Sequence, residues 1–94
     1  MAKKTYTYGI GADIANVMPI LLAFRWHNEP IECGAAFPGT GIWRGKTEQC
    51  TMVIVEWGES KQEKGAPREL ARYLRDSLAQ EAVSLSDGGG VEWV

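Results

Sequence analysis

Along residues 5–10 the chain alternates strictly, with Tyr6, Tyr8 and Ile10 on one side and Thr5, Thr7 and Gly9 on the other. Period two in β-branched and aromatic residues predicts a half-buried strand. Gly9 and Gly11 then loosen the backbone before an apolar run through Val17, Ile20, Leu21, Leu22, Phe24 and Trp26. With Asn16 as cap, this run predicts a helix from Val17 to about Asn28, ahead of Pro30. Pro19 then falls in the first turn, where its missing N–H has no intrahelical partner to lose. Asp13 is the rival cap, but it places Pro19 deeper in the helix, where it would break it. Apolar nearly all round, the helix is expected to be largely buried, with Trp26 in the core.

Residues 31–57 read as two strands folded back on each other, the hairpin proper spanning residues 34–57. Gly39, Gly41 and Gly45 mark bends in the first arm, and the tight turn falls at Arg44-Gly45-Lys46. The second arm, residues 50–57, has Cys50, Met52, Ile54 and Glu56 on one face and Thr51, Val53, Val55 and Trp57 on the other. Both faces are mainly apolar, which predicts a central strand covered on both sides. Residues 58–66 are polar and read as a mobile loop. Pro67 opens a second helix at its favoured first position, with Leu70, Tyr73, Leu74 and Leu78 on one apolar face. Residues 82–85 read as a strand, 86–90 as a turn and 91–94 as a last short strand.

The order β-α-β-β-α-β predicts an α+β fold over a single domain, residues 1–94. The architecture it fits is a ferredoxin-like sandwich, with two helices on one face of an antiparallel sheet. Such a fold leaves its other sheet face open. In so small a domain the doubly apolar strand and the aromatic residues then need a second cover, which predicts a homo-oligomer or another protein as partner.

Composition narrows the classes. With 45% hydrophobic and 23% charged residues, the chain is too apolar for a disordered protein. Its longest apolar stretch is far too short to span a bilayer. The start, Met-Ala-Lys-Lys, leads into a strand pattern instead of an apolar leader segment, so a cytoplasmic location and no membrane contact are expected. A net charge of −2 weighs against phosphate-driven nucleic-acid binding. Cys33 and Cys50 lack C-x-x-C spacing and are expected as reduced thiols, although the hairpin could set them opposite each other.

Two motifs come close to nucleotide-binding patterns and fail on counting. The stretch from Gly39 to Thr47 ends in Gly-Lys-Thr, but the leading glycine of a P-loop would have to stand where Thr40 stands. A strand follows it, moreover, where a P-loop opens a helix whose amides cradle phosphate. Gly9-Ile10-Gly11 follows a strand and precedes a helix, but Ile14 occupies the third glycine position of a dinucleotide fingerprint. His27 is the only histidine, so a His cluster is impossible, and at a helix end it reads as a cap. A nucleophile–base pair of Cys33 with His27 would need an orienting group that no motif supplies.

Arg68, Arg72 and Arg75 share a stripe of the second helix, either as an anion contact or as a solvated face balanced by Glu69 and Asp76. The four tryptophans are the least ordinary feature. Trp43, beside the Arg44-Gly45-Lys46 turn, is hardest to place in a core, whereas Trp57 and Trp93 fit core or interface. In general character the chain resembles the small accessory and inhibitor proteins of phages and mobile elements. That likeness, which rests on composition and not on a motif, implies action by binding, such as blocking a host defence complex.

The expectation from sequence is therefore a non-enzymatic protein-binding module, with no cofactor, metal or catalytic group. Its contacts would lie at Trp43, Arg44 and Lys46, with Arg68, Arg72 and Arg75 as further candidates. A small anionic ligand or nucleotide held at a subunit interface is the alternative. Single-stranded nucleic acid stacked on Tyr6, Tyr8 or Trp43 is a third reading, against which the acidity weighs.

Overall fold

A computed structural model describes residues 3–31 and 34–94. Five strands form one antiparallel sheet: β1 (Lys4–Ile10), β2 (Gly34–Trp43), β3 (Lys46–Trp57), β4 (Ser84–Ser86) and β5 (Val91–Trp93), in the order β2-β3-β1-β4-β5. Three helices connect them: α1 (Ile14–Ala23), α2 (Glu59–Glu63) and α3 (Ala66–Ser77). The first four strands and the two longer helices give the expected α+β sandwich, and β5 is added at its edge.

The alternation read along residues 5–10 sets the layers. Tyr8 and Ile10 of β1 face the helices with Val53, Val55 and Trp57 of β3 and Leu85 of β4. Against them pack Val17 and Leu21 of α1, Phe24, and Leu70, Ala71 and Leu74 of α3. The one polar cluster inside this layer is closed: Trp57 Nε1 donates to the Tyr8 hydroxyl at 2.9 Å, and that hydroxyl donates to the Pro67 carbonyl at 2.8 Å. Strand, sheet and helix start are thereby tied at one point, and Trp57 belongs to the core. The buried Thr51 hydroxyl donates to the Ala12 carbonyl at 2.7 Å and pins the turn between β1 and α1.

Several local expectations are corrected. Asp13, not Asn16, caps α1, its carboxylate accepting from the Ala15 N–H at 3.3 Å, and Pro19 lies inside the helix. Burial of Val17 and Leu21 offsets the hydrogen bond that Pro19 cannot make, a case of tertiary packing overriding a local breaker. The helix stops at Ala23, with Phe24 as its C-terminal cap. Leu22 stays 67% exposed and Trp26 is only half-buried, so α1 is buried on one side alone. His27 caps nothing: it lies with Asn28 in a left-handed turn between Trp26 and Glu29, edge-on to the Trp26 ring. Part of the loop expected over residues 58–66 is the short helix α2, where the Gln62 amide donates back to the Trp57 carbonyl at 2.7 Å. Cys33 lies outside the described residues, and with it any pairing to Cys50 or His27.

Sheet closure over the open face has a clear origin. Strand β3 pairs with β1 only from Thr51 to Trp57, so residues 46–50 project past it, paired to β2 alone. A free two-stranded ribbon twists more strongly than a wide sheet. Arg44 and Gly45, both at positive φ (52° and 77°), form the two-residue turn that adds to this twist. The ribbon therefore swings back across the sheet's open face. There Trp43, at the end of β2, packs at a tilt against Trp93 of β5, with ring centroids 4.7 Å apart and the ring planes 53° from parallel. The two edge strands of an open sheet thus meet at one end.

Candidate functional site

Under this clasp lies a cavity of about 460 Å³. Its floor comes from strand positions that alternate away from the helices: Gly9 of β1, Cys50 and Met52 of β3, and Ser84 of β4. Trp43, Trp93 and Val91 form the wall, and Glu48, Gln80 and Glu81 supply polar groups. Gly9 lies in close approach to the neighbouring strand: a Cβ there would press on Ser84 Oγ, which would have to rotate away. Gly39 is likewise pressed by Met52, whose Cγ would lie 2.8 Å from an added Cβ. A second cavity of about 450 Å³ shares Gly11, Thr40 and Cys50 with the first and extends toward the start of α1.

Arg44 forms an ion pair with Glu81 at 2.8 Å, and its guanidinium lies 5.6 Å from the Trp43 ring centre. The ring contact and the ion pair together hold the hairpin tip to the far side of the sheet. Both partners of the ion pair are well exposed, so the ring contact contributes the larger share. Burial pushes the Cys50 thiol up, and it donates a weak hydrogen bond to Met52 Sδ at 3.7 Å. A thiol raised in this way stays protonated at neutral pH and is not an activated nucleophile. Among the described residues, no group of three or more His, Cys, Asp or Glu side chains is placed to hold a metal ion.

The structure separates the residues singled out from sequence. Trp43 lines the cavity, Arg44 braces its rim, and Lys46 sits opposite Trp43 across the turn, exposed. Arg68, Arg72 and Arg75 lie on α3, at the helical side of the sheet, and pair with Glu92, Glu69 and Asp76 respectively. Gly9, Glu48, Met52, Glu81, Ser84 and Trp93 were not anticipated. Alternation alone would have grouped Glu48, Cys50 and Met52 on one face, but nothing local reports that Val91 and Trp93 of β5 line the same cavity. No helix among the described residues is long and apolar enough to cross a membrane.

Fold and cavity together define a small ferredoxin-like α+β domain with a small-molecule-sized pocket on the face away from its helices. No protein-family model matches the chain, and no curated protein matches it. Two solved structures do. One is a phage SAM lyase in the apo state, with a TM-score of 0.71 and 17% identity over 99% of this chain and 88% of that one. The other is a phage SAM lyase in complex with S-methyl-5'-thioadenosine, with a TM-score of 0.60 and 16% identity over 98% of this chain and 88% of that one. Both are enzymes, which overturns the expectation of a non-enzymatic binding and inhibitor module. The absence of a catalytic motif had carried that expectation.

Proposed function

We propose that the chain is a phage-type lyase acting on S-adenosylmethionine, with the cavity between Trp43 and Trp93 as its nucleoside site. The observation that carries this reading is the likeness over nearly the whole chain to two lyase structures, one of which holds a thioadenosine. The site's own chemistry supports it. A volume of about 460 Å³ suits a nucleoside, two indole rings offer faces for a purine, and the glycine at the floor leaves room for a flat ligand.

The reaction asks little of the protein. A sulfonium is already a good leaving group, so the bond from sulfur to the amino-acid arm can break with sulfur keeping the electron pair. The neutral thioether S-methyl-5'-thioadenosine departs. A lyase adds no water, so the four-carbon arm supplies the replacing electrons. Either its own carboxylate oxygen closes onto the carbon that carried sulfur, or a neighbouring C–H proton passes to a base, for which Glu81 is a lining carboxylate. Both routes balance, and neither needs a nucleophile from the chain. The protein's part is to hold the arm folded and to exclude water.

The expected result is release of S-methyl-5'-thioadenosine from S-adenosylmethionine by the purified protein, followed by chromatography with mass detection. No release, together with no thermal shift from the thioether itself, would sink the reading.

We propose further that the chain self-associates. Phe37, Ile42, Val91 and Trp93 are 43–71% exposed, which is a large apolar display for so small a domain. Light scattering is expected to give at least twice the monomer mass at micromolar concentration. A strict monomer there would remove this part alone.

A further inference from the structure

The cavity has an electrostatic sign. Among the described residues no Lys, Arg or His lines it, whereas Glu48 and Glu81 do. Arg44, at the hairpin tip beside it, is already engaged with Glu81 and with the Trp43 ring. Glu48 makes no ion pair among the described residues, and Lys46, two residues earlier on the same face of β3, is not within bonding reach of it. The faces of the two indole rings carry negative partial charge as well. A site lined in this way attracts a cation and gains nothing extra from a neutral ligand of the same shape.

Resting on the lyase reading, we infer that Glu48 sets the charge specificity of this site: it favours a ligand with a positive centre at the sulfur position over the corresponding neutral thioether. The direction has a consequence for turnover. Cleavage converts the sulfonium into a thioether, so the attraction is full in the bound substrate, reduced in the transition state and absent in the product. Glu48 therefore tightens substrate binding and leaves product free to go, without lowering the barrier to bond breaking. It is a specificity residue, not a catalytic one.

Two isosteric probes isolate this effect. Sinefungin carries a protonated amine on carbon where S-adenosylmethionine carries the methylsulfonium, and S-adenosylhomocysteine is the neutral thioether. Their amino-acid arms are identical, so the arm's own charges cancel in the comparison. By calorimetry the wild-type protein is expected to bind sinefungin about fivefold more tightly, the scale of a partly exposed charge pair. Glu48→Gln is expected to abolish that preference while leaving S-adenosylhomocysteine binding unchanged, and Glu48→Asp to keep most of it. In turnover, Glu48→Gln is expected to raise KM about fivefold with kcat unchanged or slightly raised. A merely structural role would weaken both ligands together. The inference is overturned if Glu48→Gln keeps the preference, if the wild type shows none, or if kcat falls in step with KM. If neither probe binds the wild-type protein, the lyase reading falls with it; if both bind with an unmoved ratio, only the role of Glu48 does.

Discussion

Tyr8→Phe is expected to lower the unfolding free energy by about 1–3 kcal/mol, although it removes a single oxygen. That oxygen accepts from Trp57 Nε1 and donates to the Pro67 carbonyl in a layer with no access to water. Its loss leaves the indole N–H of a side chain only 3% exposed without a partner. In a domain of this size each kcal/mol moves Tm by roughly 4–8 °C, so thermal melts resolve the change easily. Because the cost comes from an abandoned donor, Tyr8→Phe and Trp57→Phe should not add. The double variant should be more stable than the sum by about 1 kcal/mol, measured in urea. Strict additivity would mean that the two groups do not share the bond.

The same hydroxyl gives the fold an alkaline limit. Burial, outweighing the lowering effect of the Trp57 hydrogen bond, pushes Tyr8 well above the ordinary tyrosine value of 10.0. The folded protein therefore keeps the proton after the unfolded chain has lost it. Stability is full below about pH 10 and declines above it, by up to about 1.4 kcal/mol per pH unit for this one group. Tyr8→Phe should flatten that decline, leaving what Cys50 and Lys4, both also raised, contribute.

Removing both rings of the clasp is expected to have the largest effect on activity. On the lyase reading, Trp43→Ala with Trp93→Ala should lower kcat/KM for S-adenosylmethionine roughly a hundredfold, each ring contributing about 1–3 kcal/mol of contact with the base. Folding should survive, because Trp93 is 53% exposed and Trp43 half-buried, and neither belongs to the packed layer between sheet and helices. Circular dichroism melts within a few degrees of wild type would establish that. Activity within threefold of wild type in the folded double variant would move the site elsewhere on the molecule.

Trp43 and Trp93 also show how far a sequence can be read. Trp43 stood out because its neighbours Arg44 and Gly45 mark a turn, where a buried tryptophan is hard to accommodate. Trp93 carried no such mark. The two rings are 50 positions apart and meet only because the free end of the β2–β3 ribbon twists over the sheet. The function was misjudged for a related reason. Histidine pairs, P-loops and metal spacings are local signals, and they are absent here. The cavity on which the lyase reading rests is instead assembled from residues of all five strands, far apart along the chain. The cap of α1 was misread because the rule against an internal proline is local, whereas the burial that tolerates Pro19 is not.

By itself, the sequence determined the α+β order, the hairpin with its turn around Arg44-Gly45-Lys46, and the core face of β1; it left the two faces of β3 equal, and the structure buries only the one with Thr51, Val53, Val55 and Trp57. These follow from alternation, from glycine at a left-handed position and from the period of an amphipathic helix, all of which act within a few residues. The tertiary structure alone decided that the open face is partly roofed, that Trp43 and Trp93 meet beside the cavity lined by Gly9 and Ser84, and that Glu48 lines it with no ion-pair partner among the described residues. Sheet twist accumulates over the length of a ribbon, and no short stretch of sequence states where its end will land.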